Sequence, residues 1–302
     1  MTPASRVVVA INLSPTMSTG PIYPVNGLDT SKLKDTVLVV PSVSLGNVPQ
    51  LAGDLLVSSL GLKRVAFVGT GETVAPFAGY DSEAGILTGG LERKLLYWSP
   101  SKLTSVYGDQ GSVYVLLQRS PTLKVRTDGS NDLTAYGELT LQTKKDEHVA
   151  LIAAAGKAFG SVLVLASLDA ANQDDAQLLL AIVRDASTTI LERLAQLPAL
   201  NLRLEGAPPR EQQKEGVYPP FLPGAGLTRR TLAALKEQGT PAGALAAWVV
   251  EGDNRGDAHA LAARTLDLAG IEAQLREPSS WKGLFGGEGW SGGAGMDAEI
   301  YG

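Results

Sequence analysis

Cysteine is absent from all 302 residues. That excludes disulfides, cysteine–zinc sites and thiol catalysis, and fits a reducing compartment. Histidine is nearly absent, with His148 and His259 the two imidazoles of the chain. Neither belongs to an H-E-x-x-H or other metal-ligand spacing, and there is no Gly-x-Ser-x-Gly elbow. Both therefore read as ordinary surface histidines rather than catalytic bases. No apolar run approaches the ~18 residues of a membrane span. The first residues lack a charged-then-apolar signal pattern with a cleavage site. Net charge is −5 and the pI about 5.2, with no basic run interleaved with aromatics. The expectation is a soluble intracellular protein that contacts neither nucleic acid nor membrane.

What is present is apolar: 44% of residues are hydrophobic, enough for a full core. Residues 36–68 organise the rest. Val37, Leu38, Val39 and Val40 form a β-branched run stopped by Pro41, the pattern of a strand buried on both faces. After a loop over 42–46, Asn47 is placed to cap a helix, with Gln50 as the reciprocal partner and Pro49 tolerated in the first turn. Val48, Leu51, Ala52, Leu55, Leu56 and Ser59 fall on one helical stripe, and Gly61 stops it. Residues 64–68 are the next buried strand. Strand, helix and strand in about 33 residues make a βαβ unit. The fold class is α/β: a single three-layer domain with a largely parallel central sheet, followed by a flexible C-terminal tail. Ligands in such sheets sit beyond the strands' carboxyl ends. The loop there, Ser42 to Asn47, offers hydroxyls and a helix N-terminus but no acid, base or metal ligand, so it reads as turn and cap. Gly69-Thr70-Gly71-Glu72 reads likewise as a tight turn, since no G-x-G-x-x-G or Gly-Lys-Ser follows.

Elsewhere, residues 6–11 suggest a short strand, 14–26 a loop and 28–34 a polar link. Residues 92–98 and 112–119 read as strands joined by a turn near Gly108 and Asp109, the second of them central. Residues 120–146 read as a polar surface excursion, and 147–159 as a core-facing helix. A strand is expected over 161–166, then a long amphipathic helix over 173–197 and a linker over 197–216. Thr228 is a natural N-cap for a helix over 229–238. Residues 243–250 are a buried segment, strand or helix. Glu251, Gly252, Asp253 and Asn254 then read as a turn capping a helix over 257–269, in preference to a cation site.

Three stretches resemble one known family. Gly46-Asn47-Val48-x-Gln50-Leu51-Ala52-x-Asp54 follows a strand and a small-residue loop. Pro223-Gly224-Ala225-Gly226-Leu227-Thr228 opens a helix, with Ala225 in place of a glycine. Glu251-Gly252-Asp253-Asn254-x-x-Asp257-Ala258 is followed by Pro278-Ser279-Ser280-Trp281-x-x-Leu284-Phe285-Gly286. Residues 163–173 also fit the family's strand ending in small hydroxyls, while 69–160 match poorly. These motifs, in order over most of the chain, resemble the proteasome assembly chaperone 2 family. Trp281 and Phe285, four apart, are expected to dock the last turn onto the body.

The chaperone domain is expected to span residues 1–285, with a Gly-rich tail over 286–302 that cannot bury a core. The chain ends Ile300-Tyr301-Gly302, which resembles the HbYX motif that inserts a carboxyl terminus between adjacent proteasome α subunits. The resemblance implies a phosphorylase/hydrolase-like fold and a heterodimer with a proteasome assembly chaperone 1-like subunit. It implies binding to the outer face of the α ring of the 20S core particle, support of ring assembly and a block on premature association. Ile300, Tyr301 and Gly302 would be the partner-binding residues. No catalysis and no cofactor would be needed, and the setting would be cytoplasmic and nuclear. The alternative is a small-molecule hydrolase or phosphorylase using the βα loops at the strand ends.

Overall fold

The computed structural model describes residues 21–69, 73–74, 77–79, 96–98, 104–109, 111–118, 122, 144–173, 177–200 and 218–281. In chain order the strands are β1 (Ile22–Pro24), β2 (Val37–Pro41), β3 (Lys63–Val68), β4 (Phe77–Gly79), β5 (Leu96–Trp98) and β6 (Thr104–Gly108). They continue with β7 (Val113–Gln118), β8 (Ser161–Asp169), β9 (Leu179–Val183) and β10 (Ala242–Val249). The helices are α1 (Val48–Leu60), α2 (Lys144–Gly156), α3 (Thr189–Leu194), α4 (Thr228–Glu237) and α5 (Arg255–Ala269).

Eight strands form one sheet in the order β1-β3-β6-β7-β2-β8-β10-β9. The pairs β7–β2, β2–β8 and β8–β10 are parallel, and the outer pairs are antiparallel. Following those directions across the sheet, β3, β7, β2, β8 and β10 run one way and β1, β6 and β9 the other. The sheet is thus parallel at its centre and mixed at its wings. β4 and β5 pair apart from it.

Alternation in the central strands builds two cores. Leu38, Val162 and Val164 point to one face, against Ile152 and Ala153 of α2 and Leu232 and Leu235 of α4. Val39, Leu163 and Leu165 point to the other, against Leu55 and Leu56 of α1, Leu191 of α3 and Leu261 of α5. This is the expected three-layer arrangement. β2, α1 and β3 form where expected, and β3 runs parallel to β2 with two strands, β6 and β7, between them.

Several local expectations are corrected. The long helix over 173–197 is instead edge strand β9 followed by the short α3. Leu178 to Val183 are six apolar residues in a row, and β10 offers them an antiparallel partner, so pairing overrides helical spacing. β6, which was not anticipated, forms the hairpin with β7. β5 pairs with β4 instead. The polar link before β2 is a 3₁₀ turn, Thr30–Asp35, with Leu33 fully buried. The excursion over 120–146 ends earlier than expected, because α2 already begins at Lys144.

Asn47 does not cap α1 through its side chain; it takes a left-handed backbone, φ 53°, with no cap hydrogen bond. The Gln50 amide atoms are buried without a partner. Thr228 is the first residue of α4 rather than its cap, and is fully buried. The segment expected over 243–250 is strand β10 up to Val249, with Val250 outside it and exposed, and α5 starts at Arg255, two residues early. The strand expected over 6–11, residues 92–95, most of the 197–216 linker, Phe285 and the whole tail lie outside the described residues.

Candidate functional site

The carboxyl ends of β2, β8 and β10 lie side by side, and three loops close over them. Ser167, fully buried on β8, holds the loop after β2. Its hydroxyl donates to the Leu45 carbonyl at 2.5 Å and lies 2.8 Å from the Ser44 hydroxyl. The Ser167 backbone N–H donates to Ser44 Oγ at 3.1 Å. From the other side, Leu45 N–H donates to the Gly224 carbonyl at 3.1 Å, and Asp169 N–H to the Pro223 carbonyl at 3.0 Å. Gly226 has φ 58°, and a Cβ there would run into the Val43 carbonyl. Glycine is therefore required by both backbone and space. Ala225 between the two glycines has no positive φ, so its methyl is accommodated, and it is buried.

Asn254 locks the third loop. It is 5% exposed and sits against Gly46. Its amide is ringed by acceptors: the Gly46 carbonyl, the Val250 carbonyl and the Asp257 carboxylate. One orientation gives a single donation of 3.3 Å to Gly46. The other gives two, 2.8 Å to Val250 and 3.2 Å to Asp257, and is assigned because it satisfies more acceptors. Asp253 Oδ1 accepts the Arg255 N–H at 3.2 Å, a turn contact, while Asn254 stands at the N-cap of α5 without the expected side-chain cap hydrogen bond. The polar groups of the strand-end loops thus bond mostly to one another. Among the described residues no group of three or more His, Cys, Asp or Glu side chains could hold a metal. Of the 69–72 turn, Gly69 is described, with φ 70°, and it packs on Leu151.

Of the two histidines, His148 differs from its expected surface role, while His259 keeps it. His148 is 3% exposed. Its Nδ1 lies 2.9 Å from Thr73 Oγ1 and its Nε2 2.9 Å from Gln118 Oε1. Gln118 Nε2 donates to Thr122 at 3.0 Å, so Oε1 faces the imidazole as acceptor. Nε2 therefore carries the proton and Nδ1 accepts from Thr73. Burial lowers the pKa of His148 to about 4, so the ring is neutral at physiological pH. His259 is half-buried on α5, 3.0 Å from Glu277 Oε1 and edge-on to Trp281 with ring centroids 6.5 Å apart.

That last cluster fixes the final described residues on the body. Arg276 N–H donates to Ser59 Oγ of α1 at 2.8 Å, and Glu277 also lies 3.6 Å from Arg255. Trp281 is 5% exposed in the core that α1 and α5 share. The expected docking of Trp281 holds. Ile300, Tyr301 and Gly302 lie outside the described residues. Three large hydrophobic side chains are exposed along the strand-end edge: Val43 at 38%, Leu178 at 67% and Val250 at 71%. The Ser44–Ser167 and Gly46–Asn254 contacts were missed from the sequence, because they join residues 123 and 208 positions apart.

The class is set first by architecture: a mixed α/β sheet between two helical layers, its strand ends closed by their own loops. The crystal structure of Pyrococcus furiosus PbaA, described as an archaeal homolog of proteasome-assembly chaperone, shares this fold. It aligns with TM-score 0.50 and 14% identity over 84% of this chain and 88% of that one. No family model matches the chain. The particular resemblance is carried by sequence. Proteasome assembly chaperone 2 of Danio rerio is 27% identical over 269 residues, 84% of this chain and 92% of that protein. Proteasome assembly chaperone 2 of Nematostella vectensis is 28% identical over 243 residues, 78% of this chain and 89% of that protein. The resemblance to the proteasome assembly chaperone 2 family therefore extends over most of the chain, well beyond the three motifs.

Proposed function

We propose that this chain is a proteasome assembly chaperone. It pairs with a chaperone 1-like subunit, and the pair rests on the outer face of the α ring of the 20S core particle. There it promotes ring assembly and blocks premature association. The tail over 286–302 carries Ile300, Tyr301 and Gly302 to a pocket between α subunits. The carboxylate pairs with a cation, Ile300 fills an apolar slot, and the Tyr301 ring packs while its hydroxyl finds a partner. Once the body has docked, insertion is effectively intramolecular, because Trp281 fixes the root of the tail on the body. Work of this kind is binding energy applied to one assembly state, a population shift that needs no cofactor. Cytoplasm and nucleus are the compartments this role requires.

The observation that carries the reading is the sequence relationship to proteasome assembly chaperone 2 proteins over about four-fifths of the chain. Among the described residues no feature of the strand-end loops favours the hydrolase alternative: the Ser44 and Ser167 hydroxyls bond within the loops, and the Asn254 amide donates to Val250 and Asp257. Co-expression with a chaperone 1-like subunit followed by size analysis tests the pairing. A stable one-to-one complex is expected. A chain that stays alone, or pairs only with itself, would remove the heterodimer from the account.

A further inference from the structure

A cleft opens at the end of the molecule opposite the strand-end loops, where β9 leaves the sheet, α4 ends and β10 begins. Its cavity volume is about 110 Å³. Leu232, Pro241 and Ala242 give it apolar surface, and Tyr218 an aromatic wall. Four donors line it without an acceptor among the described residues: the Arg184 guanidinium, the Lys236 ammonium and the hydroxyls of Tyr218 and Thr240. Lys236 lies over the Tyr218 ring, 6.0 Å from its centroid. Burial pushes the Tyr218 phenol up to about 12, against the opposing effect of the Arg184 cation, so its hydroxyl remains a neutral donor. Thr240 is 8% exposed, and its methyl lies toward Gly156 of α2, which leaves the hydroxyl to the cleft. A buried hydroxyl without a partner is uncommon and calls for an acceptor. Asp185 is the one acid in the lining, and it pairs with neither cation. The carbonyls of Ala234, Leu235 and Lys236 at the end of α4 are already bonded, to the N–H groups of Gln238, Thr240 and Gly239. The acceptor these donors lack is therefore not supplied by the helix end.

We propose that this cleft binds a small monocarboxylate with a compact apolar body. The carboxylate takes the charge of Arg184 and Lys236, and the Tyr218 and Thr240 hydroxyls donate to its remaining lone pairs. The body rests on Leu232, Pro241, Ala242 and the Tyr218 ring. Phosphate has no apolar part to cover that surface. Asp185 beside the two cations also favours one negative charge over two. A neutral ligand of the same shape would leave both cations without a counter-charge. The cavity is somewhat smaller than the ~150 Å³ that encloses a benzene ring, and it opens at the rim, so a branched chain of about five carbons or a single ring fits with its carboxylate outward. The inference does not rest on the chaperone reading, since the cleft lies at the other end of the sheet from the strand-end loops.

The test uses the full chain and no partner. Sodium benzoate is titrated to about 10 mM at constant ionic strength, while the methyl resonances of Leu232 and Ala242 are followed by NMR. A saturable shift with a Kd on the order of 1 mM is expected. Three comparison ligands should each bind about tenfold more weakly or worse: benzamide, which keeps the ring and loses the charge, acetate, which keeps the charge and loses the ring, and inorganic phosphate. Arg184→Gln and Lys236→Gln fall at exposed positions, where the fold tolerates them, and each should weaken benzoate about threefold to tenfold. Tyr218→Phe, which keeps the ring, should weaken it about threefold. The absence of a saturable shift would overturn the proposal. So would any of the three comparison ligands binding as tightly as benzoate, or benzoate binding that neither charge variant weakens. Every reading is made without proteasome subunits, so failure here leaves the chaperone reading standing, and failure of that reading leaves this site standing.

Discussion

Acidification tests the packing around His148 with a number attached. The imidazole is 3% exposed, and its pKa falls from 6.5 to about 4 because burial penalises the charged ring. The unfolded chain takes up its proton below pH 6.5 while the folded chain does not. Stability from this site is therefore complete above pH 6.5 and is lost as pH falls, until the folded ring also protonates near 4. The lowered pKa corresponds to about 3 kcal/mol at full extent. Between pH 7.5 and 4.5 the expected loss is about 2–3 kcal/mol, roughly half of it gone by pH 5.5. Carboxylates also titrate in this range, so the useful quantity is a difference. Urea midpoints of the native chain and of His148→Gln, compared at several pH values, cancel the shared groups. At pH 7.5 the variant should be less stable by about 1–3 kcal/mol, from the disturbed bonds to Thr73 and Gln118. That deficit should shrink, or reverse, toward pH 4.5. Two parallel curves, or an imidazole titrating near 6.5 by NMR, would refute the reasoning.

Other outcomes follow from the same structure. Ser167→Ala removes the donor to Leu45 and the partner of Ser44, and should lower stability by about 1–3 kcal/mol; an unchanged urea midpoint would mean that the loop is held elsewhere. Gly226→Ala should cost at least ~2 kcal/mol, from positive φ and the clash with Val43, whereas Ala225→Gly should cost under ~1 kcal/mol. Equal effects in thermal melts would contradict the assigned backbone. Trp281→Ala should cost about 3 kcal/mol or more, and should weaken α-ring binding by loosening the root of the tail; a stable variant with native binding would detach the tail's function from its anchor.

The unit β2–α1–β3 was legible because its apolar runs are short, β-branched and bounded by Pro41 and Gly61. The helix α5 was legible from Asp253 and Asn254 at its start and Gly270 at its end, where φ is 70°. β9 was not, because Leu178 to Val183 satisfy helical and extended periods alike, and the partner that decides between them lies more than sixty residues later in β10. β6 was hidden by its shortness and composition: Ser105 and Gly108 carry little strand signal, yet all five of its residues are buried. Local rules also misled at the caps. Asn47 has the right residue type for a side-chain cap, but the turn before it forces a left-handed backbone that asparagine tolerates. His148 looked like a surface residue because it follows Asp146 and Glu147. Only the tertiary arrangement brings Thr73 and Gln118 to it. The strand-end loops were correctly read as turns, although the contacts that close them are long-range and left no mark in local sequence. The terminal motif is the reverse case: Ile300, Tyr301 and Gly302 stand out in the sequence, while the described residues end at Trp281.

The central claim is that this chain binds the proteasome α ring through its carboxyl terminus. The most direct measurement is the affinity of the chaperone pair for isolated α-ring intermediates, with the intact chain and with one ending at Glu299. The account predicts tight binding by the intact form and a loss of about tenfold or more on removing Ile300, Tyr301 and Gly302. Equal affinity for both forms would contradict the role of the terminus, and no binding by either would contradict the chaperone function itself.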